Sequence, residues 1–174
     1  KFSGELYARI FNSLYGMEMI GLRYFNVFGP RQDPEGMYAA VIPKFVQSLI
    51  KEKSPEINGD GSYSRDFTFI ENVVEMNILA LTTTSKEATG LNYNVACGKR
   101  ITVNQLFQTL RSNLTNMDSN IAKIEPEYVD PRPGDIPHSL ANIELAKNNL
   151  GYNPEIMPTK GISKAINWYW ENLQ

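Results

Sequence analysis

Cysteine and histidine are nearly absent from this chain of 174 residues, in which Cys97 and His138 are the single members of their types. One cysteine cannot form an internal disulfide, and this composition excludes a metal site built from cysteines or histidines. We therefore expect no bound metal and a reducing, cytoplasmic setting. Cys97 is interpreted as a small buried residue, and His138 as a surface or core residue and not as a catalytic base.

Long apolar runs and an excess of basic residues are also missing. No apolar stretch approaches the ~20 residues that a transmembrane helix requires, and we recognise no signal peptide, so no membrane association is expected. The net charge of −2 argues against a general nucleic-acid-binding surface. The length is sufficient for one domain with a hydrophobic core, or for two small lobes.

Hydrophobic spacing predicts helices that alternate with strands, which indicates an α/β fold. The predicted helices are 1–15, 41–51, 71–81, one from Thr102, one that Asn142 caps and that stops at Gly151, and 159–173. The predicted strands are 17–27, 56–57, 64–69, 91–97 and 124–129. Helical spacing begins at the first residue without a cap, so we expect the chain to be the later portion of a longer protein.

Local signals define several ends of these elements. Thr102 followed by Gln105 forms a capping box before an apolar run. Lys51 and Lys53 complement the end of the second helix, where the backbone dipole is negative. The residues 58–61 read Asn-Gly-Asp-Gly, which predicts a hairpin between the strands 56–57 and 64–69.

The stretch 20–32, IGLRYFNVFGPRQ, reads as a buried strand that ends in polar residues and a Gly-Pro corner. Such a strand delivers side chains to the carboxyl edge of a parallel sheet, where ligands bind in open α/β folds. Asn26 is either a cap for the corner or an amide that binds a phosphate or sugar oxygen. Gln32 and Tyr38 follow, and either bind at the same edge or belong to a solvated loop.

Two arginines are candidates for an anion site. Arg65 lies on a predicted half-buried strand, where alternation places Asp66 on the opposite face and Phe67 inward. Arg132 is held between two prolines in a loop. Guanidinium groups bind phosphate oxygens through two hydrogen bonds, and two of them would suit a diphosphate. The alternatives are a salt bridge for Arg65 and an ordinary turn for Arg132.

Three segments, LRYFNVFGPRQ, GDGSYSRDFTFIENVV and RPGDIPHSLANIELAKNNLGY, resemble the extended short-chain dehydrogenase/reductase superfamily. Within it they are similar to the UDP-N-acetylglucosamine 4-epimerases and related UDP-hexose enzymes. The resemblance implies the C-terminal part of an extended Rossmann-type fold, with a small α/β lobe that binds the sugar nucleotide. Residues 1–29 and 91–98 would be remnants of the NAD-binding sheet, whose N-terminal portion, with its glycine-rich turn and catalytic tyrosine, would precede Lys1.

The resemblance also implies roles for individual residues. Lys1 matches the lysine that holds the nicotinamide ribose and assists the catalytic tyrosine, and the backbone near Tyr24 would lie beside the nicotinamide of NAD. The implied sugar-nucleotide residues are Asn26, Gln32, Tyr38, Ala40, Val41, Lys44, Asn58, Arg65, Arg132 and Asp135. Among these, Arg65 and Arg132 would bind the diphosphate and Asp135 the ribose. Some relatives have an aromatic residue in the segment beside the uracil, where this chain has Glu56 and Asn58.

The function that the resemblance implies is epimerisation of a UDP-hexose at C4 through a transient 4-keto sugar, with NAD as cofactor. The expected ligands are UDP-N-acetylglucosamine and UDP-N-acetylgalactosamine or related UDP-sugars, and a homodimer is expected for the parent enzyme. These residues alone are expected to be inactive. The alternatives are a nucleotide-sugar dehydratase or decarboxylase of the same superfamily, and a sugar-nucleotide-binding fragment without catalysis.

Overall fold

Helices and short strands alternate along the chain, and the predicted α/β class is confirmed. The computed structural model describes residues 2–33 and 40–173. The helices are α1 (Phe2–Tyr15), α2 (Val41–Ile50), α3 (Ile70–Thr82), α4 (Val103–Thr115), α5 (Glu144–Leu150) and α6 (Pro158–Asn172). The strands are β1 (Gly21–Tyr24), β2 (Val27–Phe28), β3 (Glu56–Asn58), β4 (Ser64–Arg65), β5 (Thr68–Phe69), β6 (Asn92–Val95), β7 (Ile101–Thr102) and β8 (Glu127–Val129). Short 3-10 helices lie at Lys86–Ala88 and Ser119–Lys123.

The strands pair over long distances in the chain. Strands β1 and β6, β2 and β5, and β3 and β8 are parallel, whereas β4 and β7 are antiparallel. In the β1–β6 pair, Tyr24 lies opposite Val95. The carboxyl ends of these two strands therefore meet at one edge, where open parallel sheets bind ligands.

The predicted hairpin between β3 and β4 is wrong. Gly59 N–H donates to the Val129 carbonyl at 2.8 Å, which extends the β3–β8 pairing beyond the end of β3. The turn that follows is held by α4, because Asn104 N–H donates to the Gly61 carbonyl at 3.1 Å. The local turn signal is therefore used in a corner that sends β3 and β4 to different partners.

Two predicted strands are each divided in the structure. The first breaks between β1 and β2 at Asn26, whose φ of 36° is a value that asparagine tolerates better than most residues. The second breaks between β4 and β5, and Asp66 (0% exposed) and Phe67 (5% exposed) are both buried there. The predicted alternation, with Asp66 opposite Arg65 and Phe67 inward, holds for Phe67 but does not describe the buried Asp66.

The larger hydrophobic core lies where α2, α4 and α6 pack on β2, β3 and β5. Its largest fully buried members are Phe28, Phe69, Phe107, Ile42, Leu49, Ile57, Leu106, Leu110 and Tyr169. Burying a large apolar side chain contributes roughly 1.5–3 kcal/mol relative to leaving it exposed. Trp168 and Trp170 pack against this core. The core supports the elements that surround the cavity described below.

A second core joins α3, α5 and β6. It contains Val73, Met76, Tyr93, Val95, Ala146, Leu150 and Tyr152. The side chain of Asn72 exchanges two hydrogen bonds with the Ile156 backbone, at 2.8 and 3.2 Å, and so fixes the segment between α5 and α6 to α3. Cys97 is buried nearby, as its interpretation as a small core residue predicts.

The predicted helix ends are largely correct. Thr102 Oγ1 accepts from Gln105 N–H while Gln105 Oε1 accepts from Thr102 N–H, which is the predicted capping box. Helix α5 ends at Gly151, whose φ of 68° suits a residue without a side chain. It begins one residue later than predicted, and Asn142 Oδ1 accepts from Glu144 N–H at 2.9 Å.

Helix α1 carries apolar side chains, but none of its residues is buried. Phe2, Tyr7, Leu14 and Tyr15 are each more than 60% exposed. Helix α3 also presents exposed apolar residues, of which Leu81 is 84% exposed. Within residues 2–33 and 40–173, no helix combines the length and the apolar character needed to cross a membrane.

Candidate sugar-nucleotide site

A cavity of about 730 Å³ lies between β2, α2, β3 and β4, and the loop after β8 contributes to its wall. The larger core forms its apolar side through Phe28, Phe45, Ile57 and Phe67. The predicted site residues that line it are Asn26, Ala40, Val41, Lys44, Asn58, Arg65, Arg132 and Asp135. The fold therefore brings together side chains that are separated by more than one hundred positions in the sequence.

The remaining predicted site residues are not among the described residues that line the cavity. Lys1 and Tyr38 are outside the described residues. Gln32 Nε2 donates to the Val27 carbonyl at 3.1 Å, and Gln32 Oε1 is buried without a hydrogen-bond donor among the described residues. Tyr24 ends β1 and is 52% exposed, and its hydroxyl donates to Asn77 Oδ1 at 3.1 Å.

Asn26 occupies the corner between β1 and β2. Its Nδ2 donates to the Asp66 carbonyl at 3.1 Å, and its own carbonyl accepts from Thr68 N–H at 3.2 Å. One amide side chain thereby links the end of β1 to the segment between β4 and β5. The Asn26 residue is exposed at the cavity, so its amide oxygen and second N–H can contact a ligand.

Arg65 is held by the loop between β8 and α5. Its guanidinium donates to Asp135 Oδ1 at 2.6 Å and to the Pro137 carbonyl at 3.3 Å. The backbone of Ser64 pairs with that loop as well, since Ser64 N–H donates to Pro137 and Ser64 carbonyl accepts from Ser139 N–H. The Arg65 side chain is 20% exposed, so its charge faces the cavity in a restricted geometry.

Arg132 lines the same cavity from the loop after β8. Its Nε donates to Asn58 Oδ1 at 3.2 Å, which joins the loop after β8 to the end of β3. The side chain of Asn58 therefore makes a polar contact with a guanidinium group of the cavity lining.

The electrostatic character of the cavity is positive. The charged residues among its described lining are Lys44, Lys53, Arg65, Arg132, Glu56 and Asp135. Four of them are cations and two are carboxylates, so the lining has a formal excess of two positive charges. A diphosphate diester carries two negative charges, and guanidinium groups bind its oxygens through charge-assisted hydrogen bonds.

Lys53 and Tyr63 are among the lining residues that were not predicted from the sequence. Lys53 was interpreted as a charge at the end of α2, but the turn after the helix places it in the cavity wall. Tyr63 also lines the cavity, and its carbonyl accepts from Val103 N–H at 2.9 Å. The one signal in the sequence for Tyr63 is its position two residues before Arg65.

Asp66 lies fully buried behind the site. Its Oδ1 accepts from Cys97 N–H at 2.9 Å, and its Oδ2 accepts from Gly98 N–H at 3.0 Å and from Ala141 N–H at 3.4 Å. Burial raises the pKa of this carboxyl, while the three backbone N–H groups act in the opposite direction. No described residue forms a salt bridge with Asp66.

The chain as a whole is similar to known proteins. Residues 1–96 match the NAD dependent epimerase/dehydratase family. The chain belongs to this family. A curated relative, the UDP-glucose 4-epimerase of Mycolicibacterium smegmatis, is 30% identical over 174 residues, which are 100% of this chain and 52% of that protein.

Two solved structures share the fold of the chain. UDP-glucose 4-epimerase from Thermotoga maritima, solved with UDP-glucose, is 34% identical with a TM-score of 0.87, over 100% of this chain and 53% of that one. UDP-N-acetylglucosamine 4-epimerase from Methanobrevibacter ruminantium, solved with UDP-N-acetylmuramic acid, is 39% identical with a TM-score of 0.86. This match covers 97% of this chain and 51% of that one. The predicted superfamily and its Rossmann-like fold are confirmed. The chain spans about half the length of the curated relatives it matches.

Within residues 2–33 and 40–173, no group of three or more histidine, cysteine, aspartate or glutamate residues is arranged to hold a metal ion.

Proposed function

We propose that this chain carries the sugar-nucleotide site of an NAD-dependent UDP-hexose 4-epimerase that acts on UDP-N-acetylglucosamine, UDP-N-acetylgalactosamine or a close analogue. The observation that supports this most directly is the cavity whose lining contains Arg65, from strand β4, and Arg132, from the loop after β8, with an excess of positive charge. The relatives that share this fold include a UDP-glucose and a UDP-N-acetylglucosamine 4-epimerase. The proposed reaction inverts C4 of the sugar through a transient 4-keto sugar.

In this proposal, the residues of the chain bind and orient the ligand. Arg65 and Arg132 hold the diphosphate, Asp135 the ribose, and Asn26 and Gln32 the sugar side. Interactions remote from C4 place the reacting carbon and so contribute to rate through orientation.

NAD would meet this chain at the carboxyl edge of the β1–β6 pair. Tyr24 ends β1 at that edge and is 52% exposed, and ligands of open parallel sheets bind at the carboxyl edge. Residues 1–29 and 91–98 would belong to the sheet that binds NAD, and Lys1 would hold the ribose. When bound, NAD supplies the hydride chemistry of the proposed reaction.

Binding of UDP tests the site directly. We expect UDP to bind the protein in isothermal titration calorimetry, and Arg65→Ala to weaken binding by about tenfold or more, since a hydrogen bond to a charged group contributes ~1.5–3 kcal/mol. In the active protein the same change should raise KM. Arg23→Ala is the matched control, because Arg23 pairs with Glu5 outside the cavity. Equal UDP affinity in Arg65→Ala and the wild type would refute the assignment of Arg65.

Product analysis separates the candidate activities. An epimerase converts UDP-N-acetylglucosamine to its C4 epimer without loss of mass, whereas a dehydratase releases water and leaves a 4-keto-6-deoxy sugar. The family description includes both classes, so the dehydratase or decarboxylase remains the second candidate. The 174 residues by themselves are proposed to bind UDP without turnover, because the resemblance assigns the catalytic tyrosine to a position before Lys1. Turnover by these residues alone would refute that part.

We also propose that the parent enzyme is a homodimer. Exposed apolar residues on α3, which include Val74, Ile78 and Leu81, form a surface of the kind that proteins bury against partners. The apolar residues of α1 add to the exposed apolar area. A second copy of the chain presents the same helices, so one symmetric contact can cover both copies.

A further inference from the structure

Asp66 connects three parts of the molecule that meet at the candidate site. Its carboxylate binds the backbone N–H groups of Cys97 and Gly98, which follow the carboxyl end of β6. It also binds Ala141 N–H, in the segment after the loop that carries Arg132 and Asp135. Its carbonyl accepts from the Asn26 side chain. The residue thus touches the ends of two parallel strands and the segment before α5.

Burying a carboxylate at this place costs free energy, and the hydrogen bonds around it require a side chain that only accepts. Asp66 is 0% exposed, and an ionised group removed from water requires compensating hydrogen bonds. The three backbone N–H groups supply these hydrogen bonds, and each of these N–H groups in turn needs an acceptor. An amide side chain has one acceptor oxygen and an NH₂ group that would face donors, so asparagine cannot replace the carboxylate without loss.

The neighbours of Asp66 in the chain make this connection relevant to ligand binding. Arg65, the last residue of β4, precedes it directly, and Asp66 begins the short segment between β4 and β5. Asn26 is placed by the Asp66 carbonyl and by Thr68 N–H. Any shift of the backbone at Asp66 therefore moves the guanidinium and the amide that face the cavity.

We infer that Asp66 is a positioning residue, which holds Arg65 and Asn26 in register with each other by anchoring their strands to the backbone that follows β6. The inference rests on the proposed function, in which Arg65 and Asn26 bind the sugar nucleotide. Asp66 itself does not line the cavity. Its contribution to binding is geometric, and it is transmitted through the two residues that do.

The test is UDP affinity in the whole protein carrying Asp66→Asn. The wild type should bind UDP, and Asp66→Asn should bind it about tenfold more weakly, through loss of charge-assisted hydrogen bonds that hold the backbone. The control is Asn72→Ala, which removes another buried side chain that contacts Cys97 and Ile156 but neither Arg65 nor Asn26. It should lower the melting temperature and leave the UDP Kd unchanged.

A double-variant cycle distinguishes positioning from general stability. In an Arg65→Ala background, Asp66→Asn should cost much less affinity than in the wild type, because its effect passes in part through Arg65. An equal loss in both backgrounds, or an unchanged UDP Kd in Asp66→Asn, would overturn the inference while leaving the proposed function intact. Failure of the wild type to bind UDP would refute both.

A measurement on the wild type covers the case in which Asp66→Asn does not fold. Cys97 and Gly98 do not line the cavity, yet they donate to Asp66. Binding of UDP should therefore slow hydrogen exchange of these two amides severalfold, because a held Arg65 also holds Asp66. Unchanged exchange of both amides at saturating UDP would contradict the inference.

Discussion

The thiol of Cys97 shows how a single residue reports on its surroundings. Burial raises its pKa to about 11, and the nearby carboxylate of Asp66 adds to the effect. The thiolate is the nucleophilic form of cysteine, so this thiol is inert near neutral pH. A raised pKa also makes the stability of the protein depend on pH, because the unfolded thiol releases its proton first.

Cys97→Ala should remove a pH dependence that the wild type shows in alkaline solution. Between the ordinary thiol value of 9.0 and about 11, the unfolded state binds fewer protons than the folded state. The free energy of unfolding of the wild type should therefore fall with rising pH in this window, at most by about 1.4 kcal/mol per pH unit, relative to Cys97→Ala. Urea denaturation of both proteins from pH 8 to pH 11 measures the difference, and parallel profiles would contradict it.

Asn58 and Arg132 show what could be predicted for single site residues. The motif identified Arg132 as a guanidinium presented from a stiff loop, since both flanking prolines are visible in the sequence. Its partner could not be predicted, because Asn58 lies 74 positions away. Lys53 was missed for a related reason. Its chemistry was evident, but the direction in which it leaves α2 depends on the turn that follows.

Helix α6 packs against the larger core at Gly161. A Cβ at this position would lie 2.9 Å from the Phe28 Cζ atom and 2.9 Å from Phe69 Cβ and Cδ2. Both phenylalanines are 2% exposed and surrounded by other core residues. They have little freedom to move away, so the absence of a side chain at Gly161 is what allows the helix to approach them.

Gly161→Ala should therefore destabilise the protein. Alanine favours a helix by about 1 kcal/mol over glycine, but overpacking a core costs typically 1–3 kcal/mol, so packing should decide the sign. Gly4→Ala in α1 is the matched control, because nothing lies within 4 Å of its Cβ position. It should be neutral or stabilising. Thermal unfolding of both variants makes the comparison. Equal melting temperatures would show that the core rearranges to accommodate the methyl group and would contradict the prediction.

The exposed apolar surface of α3 becomes important at the scale of the whole molecule. Ile78 is 54% exposed and lies near the middle of the helix. If a second copy covers this surface, Ile78→Asp should shift the protein from dimer to monomer, because a buried charge without a partner is costly. Ser112→Asp on the exposed side of α4 is the control. Sedimentation velocity measures both, and a monomeric wild type at micromolar concentration would refute the dimer.

The sequence by itself determined the helices, their ends and the chemistry of the site residues. Helical spacing, the Thr102 and Gln105 capping box and the stop at Gly151 involve residues within a few positions of each other, so they are visible in a short window. The three segments that resemble the superfamily identified it, and two of them contain Arg65 and Arg132. These features depend on residue type and local order, which the sequence contains directly.

Only the tertiary structure decided which strands pair and which polar groups are buried. A hairpin was predicted from Asn58 to Gly61, but β3 pairs with β8 and β4 with β7. Asp66 looked like one member of an alternating strand, and it is instead a buried acceptor for backbone groups 31 to 75 positions away. Which strands pair and which hydrogen bonds are buried depends on how segments that are distant in the sequence pack into one core. A local sequence pattern carries no information about those distant segments.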